Sequence, residues 1–88
     1  MKIEYPKKFL KELAKIPFKF RLPIEEFVFE ELPSLDSITQ SKRIEQMKGY
    51  PGYYKIRFGN YRIGLKVENN KVVLKKVLHR KEIYKYFS

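Results

Sequence analysis

Apolar side chains recur at helical spacing in the first part of the chain, with charged residues between them: Phe9, Leu10, Leu13 and Ile16. Pro6 suits the first position of a helix, whereas Pro17 cannot continue one. The pattern therefore predicts a first helix between these two prolines. A short strand over residues 2–5 is predicted to precede it.

The next segment carries a second apolar stripe at helical spacing: Ile24, Phe27, Val28 and Leu32. We expect this helix to begin at Pro23, because Glu25 and Glu26 then lie in its first turn, where the helix dipole favours negative charge. Pro33 is predicted to end it, and the polar residues 34–41 are predicted to form a loop.

From residue 43 onward the pattern changes to one typical of β-strands. A strand is predicted over residues 44–48, followed by a turn rich in glycine and proline at residues 49–52. Gly59-Asn60 suits a two-residue hairpin turn, so we expect Phe58 to lie opposite Tyr61. Asn69-Asn70 predicts a second hairpin, which makes residues 71–78 the last strand. Residues 80–87 are compatible with either a helical turn or an extended segment.

The hairpin register assigns the strand side chains to two faces, because side chains alternate along a strand. One face is apolar and is predicted to be buried: Tyr54, Ile56, Phe58, Tyr61, Ile63 and Leu65. The other face is cationic: Tyr53, Lys55, Arg57, Arg62, Gly64 and Lys66. Continued alternation places Val72, Leu74 and Leu78 on the apolar face, and Val73, Lys75, Val77 and His79 on the cationic face. Lys76 does not fit the alternation and indicates a bulge or an edge position.

Composition narrows the class of protein. The 88 residues suit a single domain over residues 1–88, and the absence of cysteine excludes disulfides, zinc fingers and iron–sulfur clusters. A single histidine disfavours a histidine metal site, so we expect chemistry without a metal or another cofactor. No run of residues has the apolar length of a membrane span or a signal peptide, and we expect a cytosolic protein.

The charge of the chain is unevenly distributed. The net charge is +10; residues 1–41 hold seven basic and seven acidic side chains, whereas residues 42–88 hold thirteen and three. Like charges opposite each other destabilise a sheet, so Arg57 facing Arg62 indicates a site rather than scaffold. A merely solubilising surface is the alternative reading. A polyanion, above all nucleic acid, is the expected partner of the cationic face.

RNA cleavage without a metal needs a base for the 2′-hydroxyl, stabilisation of negative charge on phosphorus and an acid for the 5′-oxygen. Neighbouring positive charge favours the neutral amine of Lys55, which makes it the candidate base. Arg57 and Arg62 are candidates for charge stabilisation. His79, helped by Arg80, is the candidate acid. Tyr53 or Tyr84 could stack on a base.

Two segments of this sequence resemble the signature of the RelE/ParE toxin superfamily: KGYPGYYKIRFGNYR at residues 48–62 and HRKEIY at residues 79–84. The resemblance implies an α+β fold, in which a small antiparallel sheet of about four strands has two N-terminal helices packed on one face. RelE-like members are toxins of toxin–antitoxin pairs that cleave mRNA in the ribosomal A site. ParE-like members poison DNA gyrase instead.

Carried onto this chain, the RelE-like active site comprises Lys55, Arg57, Arg62, Arg80 and Tyr84. The resemblance assigns transition-state stabilisation to Arg62, leaving-group protonation to Arg80 and base stacking to Tyr84, with His79 sharing the acid role. Arg57 stands where the best-known members have lysine; since arginine is a poor proton acceptor, Lys55 is the preferred base. Further RNA contacts are expected from four other residues on this surface and in the C-terminal segment: Tyr53, Lys66, Lys75 and Lys81.

The sequence thus predicts a ribosome-dependent mRNA endonuclease of the toxin–antitoxin type, with mRNA, the ribosome and an antitoxin from a neighbouring gene as partners. Neither a membrane nor a cofactor is expected to take part. Two alternatives stay open, namely a ParE-like inhibitor of DNA gyrase and a non-catalytic RNA-binding relative.

Overall fold

Five strands form one mixed sheet in the order β1-β5-β4-β3-β2. The strands are β1 (Lys2–Glu4), β2 (Ile44–Gln46), β3 (Tyr53–Phe58), β4 (Tyr61–Glu68) and β5 (Lys71–His79). The computed structural model describes residues 1–87, the side chains of residues 84, 86 and 87 excepted. β1 pairs in parallel with β5, and the other neighbours are antiparallel. The sheet therefore has one strand more than the four or so that we expected, and the architecture is the predicted α+β class.

The first helix, α1 (Lys7–Ala14), lies between Pro6 and Pro17 as predicted. Three residues of its apolar stripe are buried in the core: Phe9, Leu13 and Ile16. Leu10, the fourth residue of the predicted stripe, is 38% exposed.

The second helix, α2 (Phe18–Glu26), begins five residues before the predicted start. Pro17 is extended and its carbonyl accepts hydrogen bonds from the N–H groups of Phe20 and Arg21, which starts the helix directly after it. Pro23 therefore lies inside α2, and the predicted start was wrong because the apolar stripe does not extend to the first turns. The helical path continues as a π-helical segment (Phe27–Glu31) and a short α3 (Leu32–Ser34).

The core lies between the helices and one face of the sheet. The helical stripe predicted from residues 24–32 is buried there, together with the central side chains of the predicted apolar face. Ile56, Ile63 and Leu65 are fully buried, whereas Tyr54, Phe58 and Tyr61 pack partly exposed at its margin. The apolar face that the hairpin register predicted for β3 and β4 is thus confirmed.

The register of the β3–β4 hairpin is also the predicted one, with Phe58 opposite Tyr61 and Arg57 opposite Arg62. The second hairpin turns at Asn69 and Asn70, whose φ angles of 49° and 62° are the left-handed values that a two-residue turn of this kind requires.

A β-bulge interrupts the pairing of β4 with β5, in the region where the sequence indicated an irregularity. Leu65 lies opposite Leu74, but Gly64 lies opposite Lys76, so Lys75 is the extra residue. One inserted residue reverses the facing of everything that follows it along the strand.

The bulge corrects the predicted faces at the end of β5. Val77 lies opposite Ile63 and is buried, and His79 lies opposite Tyr61. Leu78 lies opposite Arg62. The placement of Val77 and His79 on the cationic face, and of Leu78 on the apolar face, was therefore wrong.

The C-terminal segment is an α-helix, α4 (Arg80–Phe87), which packs against β5 and β4. The Arg80 N–H donates to the Asn60 carbonyl at 2.7 Å, so the start of α4 is fixed to the β3–β4 turn. Ile83 is buried outside the main cluster of core residues. Within residues 1–87, no helix is long and apolar enough to span a bilayer.

Candidate nucleic-acid interface

Three basic residues of the β3–β4 hairpin share the sheet face opposite the helices. Arg57 and Arg62 are direct cross-strand partners, and Lys55 lies one rung along, opposite Gly64. Arg57 is exposed, whereas Lys55 and Arg62 are half-buried. Gly64 adds no side chain beside Lys55, although its backbone is buried. We call Lys55, Arg57 and Arg62 the cationic triad.

Arg62 is held at the hairpin turn by the backbone. Its Nη1 donates to the Gly59 carbonyl at 2.6 Å and to the Tyr61 carbonyl at 2.9 Å. Its Nε is buried without a hydrogen-bond partner. A buried donor without a partner is costly, and an anion that drew the guanidinium toward it would supply an acceptor.

No member of the cationic triad forms an ion pair within 4.0 Å among the described residues. The ion pairs there involve other cations: Arg21, Lys66, Lys71 and Lys76. Three positive charges without an ion pair on one face attract anions. Arginine forks match the oxygens of a phosphate, so a phosphodiester is the anion that this arrangement suits best.

Tyr53 and Lys66 extend the cationic face away from the hairpin turn. They lie opposite each other on β3 and β4, with the Lys66 Nζ 5.3 Å from the centre of the Tyr53 ring. Tyr50 meets the same ring edge to face, at 6.4 Å between ring centres. Lys66 also pairs with Glu68 at 3.4 Å. An aromatic ring beside cations is the combination that holds single-stranded nucleic acid.

The other basic residues predicted for RNA contact are more scattered. Lys75 is the exposed extra residue of the β5 bulge, and Lys81 is exposed in the first turn of α4. Arg80 is exposed at the junction of β5 and α4. The predicted stacking residue Tyr84 falls in α4, and its side chain lies outside the described residues.

His79 is not brought together with the cationic triad. Its ring lies 5.8 Å from that of Tyr61, on the face that the helices cover. Its Nδ1 accepts the Lys81 N–H at 3.2 Å. With Glu12 and Glu82 it lines a cleft of about 290 Å³. No three metal-binding side chains cluster in the part of the chain that the structure describes.

Arg43, which the sequence analysis did not single out, supports the edge of β3. Its Nη1 donates to the Arg57 carbonyl at 3.0 Å, and its guanidinium lies 4.6 Å from the centre of the Phe58 ring. β2 is too short to pair with this part of β3, and Arg43 takes its place. No spacing in the sequence indicates this contact.

Glu45 is a second residue that sequence reasoning missed. It lies directly opposite Lys55 across the β2–β3 pair and is exposed. The long turn between the two strands hides this register in the sequence, whereas the two-residue turn at Gly59-Asn60 reveals the register of β3 and β4.

Comparison with known proteins gives the family. Residues 3–84 match the family model described as the ParE toxin of the type II toxin–antitoxin system parDE. Over 88 residues the chain is 42% identical to Toxin RelE3 of Methanocaldococcus jannaschii, with 99% of each chain covered.

Solved structures agree with the fold. A chain of the RelB–RelE antitoxin–toxin complex from Methanococcus jannaschii matches with a TM-score of 0.77 and 38% identity over 100% of both chains. The isolated E. coli RelE toxin matches with a TM-score of 0.67 at 23% identity, over 98% of this chain and 93% of that one. The match over most of the chain and the 42% identity show that the protein belongs to the RelE/ParE superfamily of type II toxin–antitoxin toxins.

Proposed function

We propose that this toxin is an endoribonuclease that cleaves mRNA in the ribosomal A site by attack of a 2′-hydroxyl on the neighbouring phosphate. The observation that carries the proposal is the direct pairing of Arg57 with Arg62 beside Lys55, without a carboxylate ion pair among the described residues. A purely structural role does not explain such a pair, because like charges opposite each other in a sheet reduce its stability.

The two arginines would serve the transition state. Negative charge grows on the non-bridging oxygens as the 2′-oxygen attacks, and fixed cations stabilise that charge more than the charge of the ground state. Loss of one preorganised donor of this kind typically lowers a rate by about 10²–10³-fold. Arg62, whose guanidinium is held by two backbone carbonyls, is better preorganised than the exposed Arg57.

Arg80 is the better candidate for assisting protonation of the leaving 5′-oxygen, by stabilising its charge while water supplies the proton. It is exposed, and its backbone is tied to the β3–β4 turn beside Arg62. His79 faces the helix side of the sheet, so a direct acid role for it requires a change of side-chain position. Stacking of an mRNA base on Tyr84 remains part of the proposal through the family resemblance.

The proposed partners are an antitoxin, mRNA and the ribosome. The relative from Methanococcus jannaschii is part of a RelB–RelE antitoxin–toxin complex. Apolar side chains along the helices of this chain are exposed, as a protein partner would require: Leu10, Phe18, Phe20, Leu22 and Phe29. The gene of such an antitoxin is expected next to that of this toxin.

The test is to add the purified protein to a translating cell extract and map the RNA ends by primer extension. Cuts within the codons that occupy the A site are expected, and the same RNA without ribosomes should remain intact. Absence of cuts in A-site codons would contradict the proposal.

Inhibition of DNA gyrase is the second candidate, because the family model that the chain matches is described as the ParE toxin. Purified gyrase distinguishes the two candidates in a supercoiling assay. An endoribonuclease should leave supercoiling unchanged at concentrations that arrest translation, whereas gyrase inhibition without RNA cleavage would favour the second candidate.

A further inference from the structure

We infer that Glu45 is the general base of the proposed cleavage, accepting the proton of the 2′-hydroxyl. The inference rests on the proposed function and deepens it by naming a base other than Lys55, which the sequence indicated. It comes from the sheet register, which places Glu45 directly opposite Lys55 and so on the face of the cationic triad.

Glu45 is the carboxylate that the strands bring to this part of the surface. Residues 42–88 contain three acidic side chains, of which Glu68 pairs with Lys66 and Glu82 lies in α4. Glu45 is exposed, and in the described part of the chain it forms no ion pair within 4.0 Å. Its carboxylate is thus open to a ligand.

Cross-strand geometry brings Glu45 near the groups that would hold the phosphate. Directly opposed residues of antiparallel strands have Cβ atoms about 4.5–5.5 Å apart, and diagonal neighbours are within reach of long side chains. Lys55 is the direct neighbour of Glu45, and Tyr53 and Arg57 are its diagonal neighbours on β3. β2 is an edge strand, so β3 is its only neighbour in the sheet. Lys55 and Arg57 are therefore the charged groups that face Glu45 from the adjoining strand.

As a proton acceptor at neutral pH, a carboxylate is better suited than the other charged groups of this face. Carboxylates are ionised at neutral pH and can accept a proton, whereas lysine amines in general are almost entirely protonated there and guanidinium groups do not titrate. With Glu45 as base, Lys55 is left to contact the phosphate beside the two arginines.

The step balances without a redox partner. The Glu45 carboxylate takes the 2′-hydroxyl proton, the 2′-oxygen forms a bond to phosphorus, and the bond between phosphorus and the 5′-oxygen breaks. The 5′-oxygen takes a proton from a water molecule, and the hydroxide so formed is neutralised when Glu45 gives up its proton to solvent. The products are a 2′,3′-cyclic phosphate and a 5′-hydroxyl, after which Glu45 releases its proton to solvent.

The test measures single-turnover cleavage of mRNA on programmed ribosomes across pH 5–8 for the wild type, Glu45→Gln and Glu45→Asp. A positioned base contributes about 10²–10⁴-fold, so Glu45→Gln should lose at least 100-fold in rate at saturating toxin. Its apparent affinity for the ribosome should stay within about twofold of the wild type. The wild-type rate should fall toward low pH as the base is protonated, and Glu45→Gln should lose that fall. Glu45→Asp should retain more activity than Glu45→Gln.

Glu30→Gln is the matched control, because it changes the net charge equally at an exposed position on the helices. It should cleave like the wild type. Cleavage by Glu45→Gln at the wild-type rate or faster, with an unchanged pH profile, overturns the role of Glu45 but leaves the proposed function standing. Absence of cleavage by the wild type overturns the proposed function and the role of Glu45 with it.

Discussion

At the scale of single residues, cross-strand position explains the candidate site better than residue type. The sequence grouped Lys55, Arg57 and Arg62 correctly, because a two-residue turn fixes their register and alternation fixes their face. The same reasoning failed for His79, since one extra residue in β5 reverses the facing of those that follow. It also missed Arg43 and Glu45, which a long turn connects to β3.

Arg43 supplies a stability prediction at this scale. Arg43→Ala removes a hydrogen bond to the Arg57 carbonyl and the stacking of a guanidinium on Phe58. Contacts of these kinds contribute about 1–2 kcal/mol together, so the free energy of unfolding in urea should fall by that amount. The neighbouring exposed Lys42→Ala is the control and should change it by less than about 0.5 kcal/mol. Equal effects of the two variants would contradict the role given to Arg43.

At the scale of elements, short-range sequence patterns predicted the helices and strand pairs that depend on residues close together in the chain. Proline boundaries and apolar spacing were enough to place α1, and the hairpin turns were enough to pair β3 with β4 and to begin β5. The start of α2 and the parallel pairing of β1 with β5 could not be predicted from these patterns. Both depend on tertiary packing between residues distant in sequence, which periodicity does not report.

The β5 bulge depends on a contact with α1. Glu12 accepts the Val77 N–H at 3.2 Å and pairs with Lys76 at 3.2 Å, and both charged side chains are less than 15% exposed. A hydrogen bond from Lys76 also lowers the pKa of the Lys8 amine, so two lysines share this site. Glu12 thus joins Lys76 and the backbone of the irregular strand to α1.

Glu12→Ala should therefore lower the free energy of unfolding by about 2–4 kcal/mol, because it leaves a buried N–H and a nearly buried ammonium without their partner. Glu12→Gln keeps an acceptor for the Val77 N–H and should lose less. Urea titrations of the two variants measure the difference, and a loss below 1 kcal/mol for Glu12→Ala would contradict this account.

The ion pair of β1 with β5 supplies a prediction about pH. A hydrogen bond from Lys71 at 2.8 Å lowers the pKa of Glu4, and the same bond raises the pKa of Lys71. A carboxylate with a lowered pKa stabilises the fold at neutral pH and loses that contribution as the pH falls through the lowered value. Glu4→Gln should thus be less stable than the wild type at pH 7, and the two should converge once the pH falls below the lowered pKa of Glu4. A difference that stayed constant from pH 7 to pH 3 in urea titrations would contradict the pairing.

At the scale of the whole molecule, the excess positive charge and most of the helices lie in different parts of the chain. Residues 1–41 carry balanced charge and supply every helix before α4, whereas residues 42–88 carry the excess and supply α4 and four of the five strands. The helices that precede α4 cover one face of the sheet and leave the cationic triad on the other. The cationic triad accounts for three of the thirteen basic side chains of residues 42–88.

RNA affinity should depend on salt in proportion to the phosphate contacts of the cationic face. For single strands, the slope of log affinity against log salt is about 0.7 per neutralised phosphate, so Arg57→Ala with Arg62→Ala should reduce the slope by about 1.4. The pair Lys7→Ala and Lys11→Ala removes the same charge from the exposed surface of α1 and should leave the slope unchanged. Fluorescence anisotropy of a labelled RNA at several salt concentrations measures both. Equal changes of slope would place the contacts elsewhere.

The most direct measurement of the central claim is the single-turnover rate of A-site mRNA cleavage by Arg62→Ala, compared with the exposed helix variant Lys11→Ala. Both variants lose one positive charge, but only Arg62 belongs to the cationic triad. Arg62→Ala should cleave at least about 100-fold more slowly than the wild type, and Lys11→Ala should cleave at the wild-type rate. Cleavage by Arg62→Ala within twofold of the wild-type rate would contradict a catalytic role for this face of the sheet.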